Sequence, residues 1–193
     1  LPLQAPFHTA ERAFSDLTSS TRILDKTYIE AFKQLTFDEV MDYADRMFDQ
    51  MVIEGFEYGV FEQSASESIQ SDLVDEVGQV SGSFIKLPQE QVMMLSGETQ
   101  VDVLTEHNDK VYSRYYQADN TLSDYVASQM IASLIKPKFF ESLRTEQQLG
   151  YVVYARMASV LRWPFLKFVV QSPHASCQAI DTSIETFIHE QTD

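Results

Sequence analysis

Pro137 and Gly150 bracket the stretch that most constrains this chain, PKFFESLRTEQQLG, and the strand-forming run YVVY comes at once after it. Proline suits the first turn of a helix, where its missing N–H costs nothing, and glycine suits the left-handed position just past a helix end. The spacing therefore predicts a helix from Pro137 to about Gln148, with Phe139, Phe140 and Leu143 toward a core, then a strand opening at Tyr151. Gly150 is expected to take a positive φ at the turn. Arg144 then rides a short helix and Tyr151 begins a strand, so two strong hydrogen-bond donors flank one tight corner.

As packing residues, Arg144 would complement the negative end of its helix and Tyr151 would be an ordinary strand aromatic. As chemistry, a guanidinium and a phenol suit an oxygen that gains negative charge, and neither must change protonation state to serve it. The residue types alone leave both readings open.

The gapless run Leu143, Arg144, Thr145, Glu146, Gln147, Gln148, Leu149, Gly150, Tyr151 resembles a motif in the C-terminal half of the pitrilysin and insulin-degrading enzyme family of inverted zincins. The stretches APFHTAERAFSDLTS at Ala5 to Ser19 and FLKFVVQS at Phe165 to Ser172 are similar to that family as well. The pair Val60 and Phe61 after Gly59, and the hairpin Ala158 to Trp163, depart from the family pattern. The resemblance implies an α+β fold of antiparallel sheets with helices packed on one face, made of parts of two homologous domains. Residues 1–82 would close the third family domain and residues 83–193 would begin the fourth. It also implies that Arg144 and Tyr151 reach a zinc site in the N-terminal half and contact the bound peptide and the reacting carbonyl there. The implied cofactor is zinc in the parent enzyme, with none bound by this chain. The implied partners are the zinc-bearing half and peptide substrates, and the chain alone is expected to be inactive.

The remaining residues agree with a metal held elsewhere. His8, His107, His174 and His189 are too scattered for an H-x-x-E-H pair, and His174 with Cys177 gives only two ligands where zinc takes three or four from protein. There is no phosphate-binding glycine loop and no G-x-S-x-G elbow. With 14 basic against 29 acidic residues, a net charge of −15 would repel nucleic-acid phosphates and anionic lipid, which excludes both as expected partners. A lone Cys177 excludes an internal disulfide and is read as core. At 193 residues and 44% apolar, the chain can bury a core as one large or two small domains. No apolar run approaches a membrane span. The missing initiator Met and the helical pattern at the last residues lead us to expect that both ends are cuts. Location is periplasmic if the resemblance extends that far, and cytoplasmic otherwise.

Along the chain, helices are expected at Thr9–Leu17, Lys26–Leu35, from Thr36 with a capping box to Glu39, and at Glu67–Val77 with Ile69, Leu73 and Val77 inward. Val52–Phe61 reads as a strand, and a boundary is placed near Gly82. Strands follow at Val92–Leu95, Val101–Thr105, Val111–Tyr116, Tyr151–Met157 and Phe165–Gln171, with helices at Leu122–Ile135 and from about Ser176. Helices set against hairpin-linked strands argue for α+β. Two rival functions stand beside the endopeptidase: a dedicated processing protease of cofactor biosynthesis, such as that of pyrroloquinoline quinone, and an inactive paralogue acting as a partner subunit. Retention of Arg144 and Tyr151 weighs against the last.

Overall fold

A computed structural model describes residues 5–23, 25–52, 56–60, 62–78, 83–84, 89–95 and 97–192. Packing divides the chain into two units, one formed by residues 1–22 with 90–193 and the other by residues 23–89. This division differs from a single cut near Gly82, a residue outside those described. The first helix joins the later unit.

The later unit is built on a three-stranded antiparallel sheet of β3 (Lys110–Gln117), β4 (Val152–Val160) and β5 (Trp163–Ser172), in the order β3-β5-β4. The register sets Val111 and Val152 both opposite Gln171, and Ser113 and Tyr154 both opposite Val169. β5 is central and covered on both faces, which is why its sequence is a nearly continuous apolar run rather than an alternating one. Because strand side chains alternate, Leu166, Phe168 and Val170 point to one face and Phe165, Lys167, Val169 and Gln171 to the other.

Helices α5 (Leu122–Phe140) and α6 (Cys177–Thr192) cover the first face. The core there joins Phe139 and Leu143 to Val153, Ala155, Phe168, Val170, Ile180, Ile184 and Phe187, and Phe139 meets Phe168 and Phe187 edge-on. Arg114 on the same face reaches Glu185 at 2.7 Å and Asp181 at 3.3 Å on α6. The opposite face carries α1 (Pro6–Thr18), whose Phe14 stacks on Tyr115 at 3.8 Å and meets Phe165 edge-on. The α+β architecture agrees with the sequence reading, and α5 and α6 share one face of the sheet. α1 is the exception and lies on the other.

Glu11 pins α1 to that second face. Its Oε1 accepts from Tyr154 Oη at 3.0 Å and Arg156 Nη2 at 3.0 Å, and from Lys167 Nζ. The Lys167 side chain is only 4% exposed, so the carboxylate supplies the countercharge a buried ammonium requires. Burial alone would raise the Glu11 carboxyl, but the hydrogen bond and charge of Lys167, then Tyr154 and Arg156, outweigh it and hold the carboxyl below its ordinary value. On Lys167 the balance runs the other way: burial outweighs Glu11 and lowers the ammonium.

The other unit contains α2 (Asp25–Gln34), α3 (Phe37–Arg46), α4 (Gln63–Gly78) and the short parallel pair β1 (Gln50–Met51) and β2 (Ser83–Phe84). The capping box expected at Thr36 is present: Glu39 N–H donates to Thr36 Oγ1 at 3.3 Å and Thr36 N–H donates to Glu39 Oε2 at 2.8 Å. The expected strand over 52–61 is not formed in its described residues, 52 and 56–60, and the rest of it lies outside them. The apolar stripes are less buried than their periodicity suggests. Val40, Met41, Ile69 and Leu73 stay exposed.

Candidate functional site: the Arg144–Tyr151 cleft

Three sequence expectations about the motif segment change in the folded chain. Pro137 does not start a helix. α5 begins at the Thr121 N-cap, which accepts Asp124 N–H at 3.0 Å, and runs through Pro137 to Phe140. Burial of Ala132 and Phe139 on either side of the proline holds the helix together across it. The helix then widens into a π-helical turn over Glu141–Glu146, where Gln147 N–H reaches back five residues to Ser142 O at 2.9 Å. Such turns insert one residue and shift the helical phase of the next few side chains. Leu143 remains in the core, while Phe140 is exposed rather than buried.

Gly150 is not the left-handed residue. That position is Gln148, with φ 52°, after which Leu149 N–H closes on Leu143 O at 3.0 Å. Gly150 is required for a different reason. A Cβ on it would lie 2.0 Å from the backbone oxygen of Gln171 and 3.2 Å from Cα of Ser172. The glycine lets the incoming chain press against β5, and Tyr151 N–H donates to Gln171 O at 3.2 Å one residue before the β4 ladder begins.

This packing brings both expected site residues to one place. Arg144 and Tyr151 line an open cleft of about 530 Å³ together with Phe140, Thr145, Gln148 and His174. The Arg144 guanidinium donates from Nη1 to the Gly150 carbonyl, so it braces the corner whose far side is Tyr151. Tyr151 is 51% exposed, with its ring at the cleft.

The Tyr151 hydroxyl has partners that the sequence does not suggest. It donates to Asp109 Oδ2, and Gln171 Nε2 donates to the same phenolic oxygen and, at 2.9 Å, to Asp109 Oδ2. Gln171 Oε1 accepts Phe7 N–H from the start of α1 at 3.2 Å. The hydrogen bond to Asp109, with desolvation and then the Asp109 charge adding to it, raises the phenol above its ordinary value. The Tyr151 and Gln171 donors hold the Asp109 carboxyl below its own. The one available signal for Gln171 is its place, with Lys167, as a polar residue four positions apart on one face of an apolar strand. Asp109 has none.

Among the described residues, no three His, Cys, Asp or Glu side chains come together as a metal-binding group. His174 lines the cleft, while Cys177 is exposed rather than core, with its Sγ 3.7 Å from Val111 O.

Residues 130–193, which hold Arg144 and Tyr151, match the family described as PQQ synthase PqqF-like, C-terminal lobe domain 4. Coenzyme PQQ synthesis protein F of Pseudomonas syringae pv. tomato is 35% identical over 68 residues, 35% of this chain and 9% of that protein. The crystal structure of pitrilysin shares the fold with a TM-score of 0.50 at 19% identity, covering 81% of this chain and 17% of pitrilysin. The chain thus spans a small part of the length of the proteins it matches. Residues 130–193 are thus similar to a PqqF-like C-terminal lobe domain, and the likeness to pitrilysin shows the fold.

Proposed function

We propose that this chain belongs to the non-zinc half of an insulinase-type zinc endopeptidase and lends Arg144 and Tyr151 to a catalytic site whose metal is held by the other half. The observation that carries the reading is the shared open cleft: a guanidinium and a half-exposed phenol, brought together by the π turn and the Gly150 corner. Arginine offers five N–H donors in a fixed fork, of which Gly150 O takes one, and such a group suits a peptide carbonyl. The phenol is a single-proton donor suited to an oxygen that gains negative charge. In this reading the chain alone hydrolyses nothing.

In the same reading residues 1–82 end the third family domain and residues 83–193 begin the fourth, which the match of residues 130–193 to a domain 4 supports. α1 then packs on the fourth-domain sheet although it precedes the third-domain helices. A narrower substrate range is a second reading. The 35% identity over 68 residues to a coenzyme PQQ synthesis protein supports a dedicated processing protease of cofactor biosynthesis as that alternative.

Kinetics of the full-length enzyme at matched zinc content test the proposal. Tyr151→Phe and Arg144→Ala are each expected to lower kcat by about 10²-fold to 10³-fold, as loss of a preorganised donor does. Arg144→Ala should also raise KM if the guanidinium holds the ground-state peptide. Values of kcat within about threefold of the parent for both variants would leave the pair as structural residues, since ordinary surface contacts change little.

A further inference from the structure

We propose that Asp109 and Gln171 are positioning residues for the Tyr151 phenol, a two-point hold that fixes where its oxygen sits and where its proton waits. The proposal deepens the reading of Tyr151 as a donor to substrate and rests on it. A tyrosine has one O–H, and here that proton is directed to Asp109 Oδ2. The phenolic oxygen in turn accepts from Gln171 Nε2. A ring that is half exposed at the edge of an open cleft would otherwise turn freely. The two bonds come from different elements, one from the loop that leads into β3 and one from the central strand β5.

The orientation of Gln171 is itself determined. Its Oε1 accepts Phe7 N–H, so a flipped amide would set an N–H₂ against an N–H and lose all three bonds. The Asp109 side chain is only 12% exposed. His107 Nδ1 lies 3.8 Å from Asp109 Oδ1, and the same nitrogen accepts Asp109 N–H at 3.1 Å. The carboxylate faces the phenol, the Gln171 amide and the His107 ring, with Arg144 and His174 the other ionisable groups on the cleft that Tyr151 lines.

An arriving peptide oxygen then competes with Asp109 for a proton that is already aimed. The O–H turns from one acceptor to the other while Gln171 keeps the oxygen in place. No bond to carbon is made or broken by these groups, and the proton stays on the phenol throughout. Asp109 acts only through Tyr151, so its whole contribution to turnover must pass through the tyrosine.

A double-mutant cycle in the full-length enzyme, with hydrolysis of a peptide substrate as the readout, tests this. Asp109→Ala is expected to lower kcat by about tenfold with KM nearly unchanged, and to have no further effect in a Tyr151→Phe background. Asp109→Asn keeps an oxygen acceptor at the same place and should recover most of the loss. In parallel, 3-fluorotyrosine placed at position 151 reports its own ionisation by ¹⁹F NMR, and the midpoint should fall in Asp109→Ala. A midpoint that does not move, or a kcat loss equal in both backgrounds, would overturn the proposal. If instead the midpoint falls while Tyr151→Phe leaves kcat intact, the hold is confirmed and the donor reading of Tyr151 fails.

Discussion

Gly150→Ala separates two explanations of the same glycine. If the residue served this fold through a left-handed backbone, alanine would cost about 1–2 kcal/mol. The folded chain gives a different magnitude. The new Cβ would lie 2.0 Å from Gln171 O and 2.8 Å from its carbonyl carbon, both backbone atoms that cannot swing aside. An ordinary carbon–oxygen contact needs more than about 3 Å, so the corner must retreat from β5 by about 1 Å. That lengthens the 3.2 Å bond from Tyr151 N–H to Gln171 O past its useful range, a loss of about 1 kcal/mol, and adds overpacking strain of about 1–3 kcal/mol. We expect a destabilisation of about 2–4 kcal/mol, measured by urea unfolding, together with faster hydrogen exchange at the Tyr151 amide. Gln148→Gly supplies the opposing control, because the left-handed strain sits there at φ 52°. It should stabilise by about 0.5–1 kcal/mol. A loss of stability for Gln148→Gly, or a Gly150→Ala cost below about 0.5 kcal/mol, would refute the close-approach argument.

The same sheet yields two more expected outcomes. The β4–β5 hairpin turns through Leu161 and Arg162 with φ of 44° and 73°, a two-residue turn of the kind that favours Asn-Gly, so Leu161→Asn with Arg162→Gly should raise the melting temperature by an amount corresponding to about 1 kcal/mol. Glu11 titrates below its ordinary value when folded, so its contribution is complete above the unfolded carboxyl value and is lost as pH falls through the lower folded one; melting temperature measured below about pH 4.5 should show that loss, and Glu11→Gln, which strands Lys167, should remove that part of the acid dependence and destabilise by about 3 kcal/mol at neutral pH.

How much of the fold was legible in the sequence depended on how local the cause was. The Thr36 capping box, the β4 and β5 strands and α6 rest on patterns within one element, and they appear near their expected bounds. Val101–Thr105 carries the same kind of apolar alternation as β3, yet forms no ladder, and Val92 makes only a single bridge to Ser19. Alternation licenses a strand but does not supply its neighbour. The sequence marks Gly150 as indispensable to a corner but points to the wrong cause, because a close approach to Gln171 is invisible until β5 is paired. Pro137 misleads for a similar reason: helix rules place it at a start, and the burial of Ala132 and Phe139 on either side of it carries the helix past it. Arg144 and Tyr151 are legible through the motif that spaces them. Asp109 and Gln171 are not, since the bonds that join them to Tyr151 cross 42 and 20 residues of sequence.

Those long-range bonds tie the cleft to α1. The helix holds the second sheet face at two points: Glu11 collects Tyr154, Arg156 and Lys167, and Phe7 N–H orients Gln171. Both points are polar, on a face where β5 is otherwise apolar. A helix seated only by Phe14 and its aromatic neighbours could slide along the sheet with little change in burial, because apolar contact is not directional. Three donors converging on one carboxylate cannot slide without leaving a buried ammonium unpaired. That fixes the helix along its axis, and so fixes Phe7 N–H to the place where Gln171 needs an oxygen-side partner. The polar pins on this face therefore bear on the phenol at the cleft, even though α1 lines none of it.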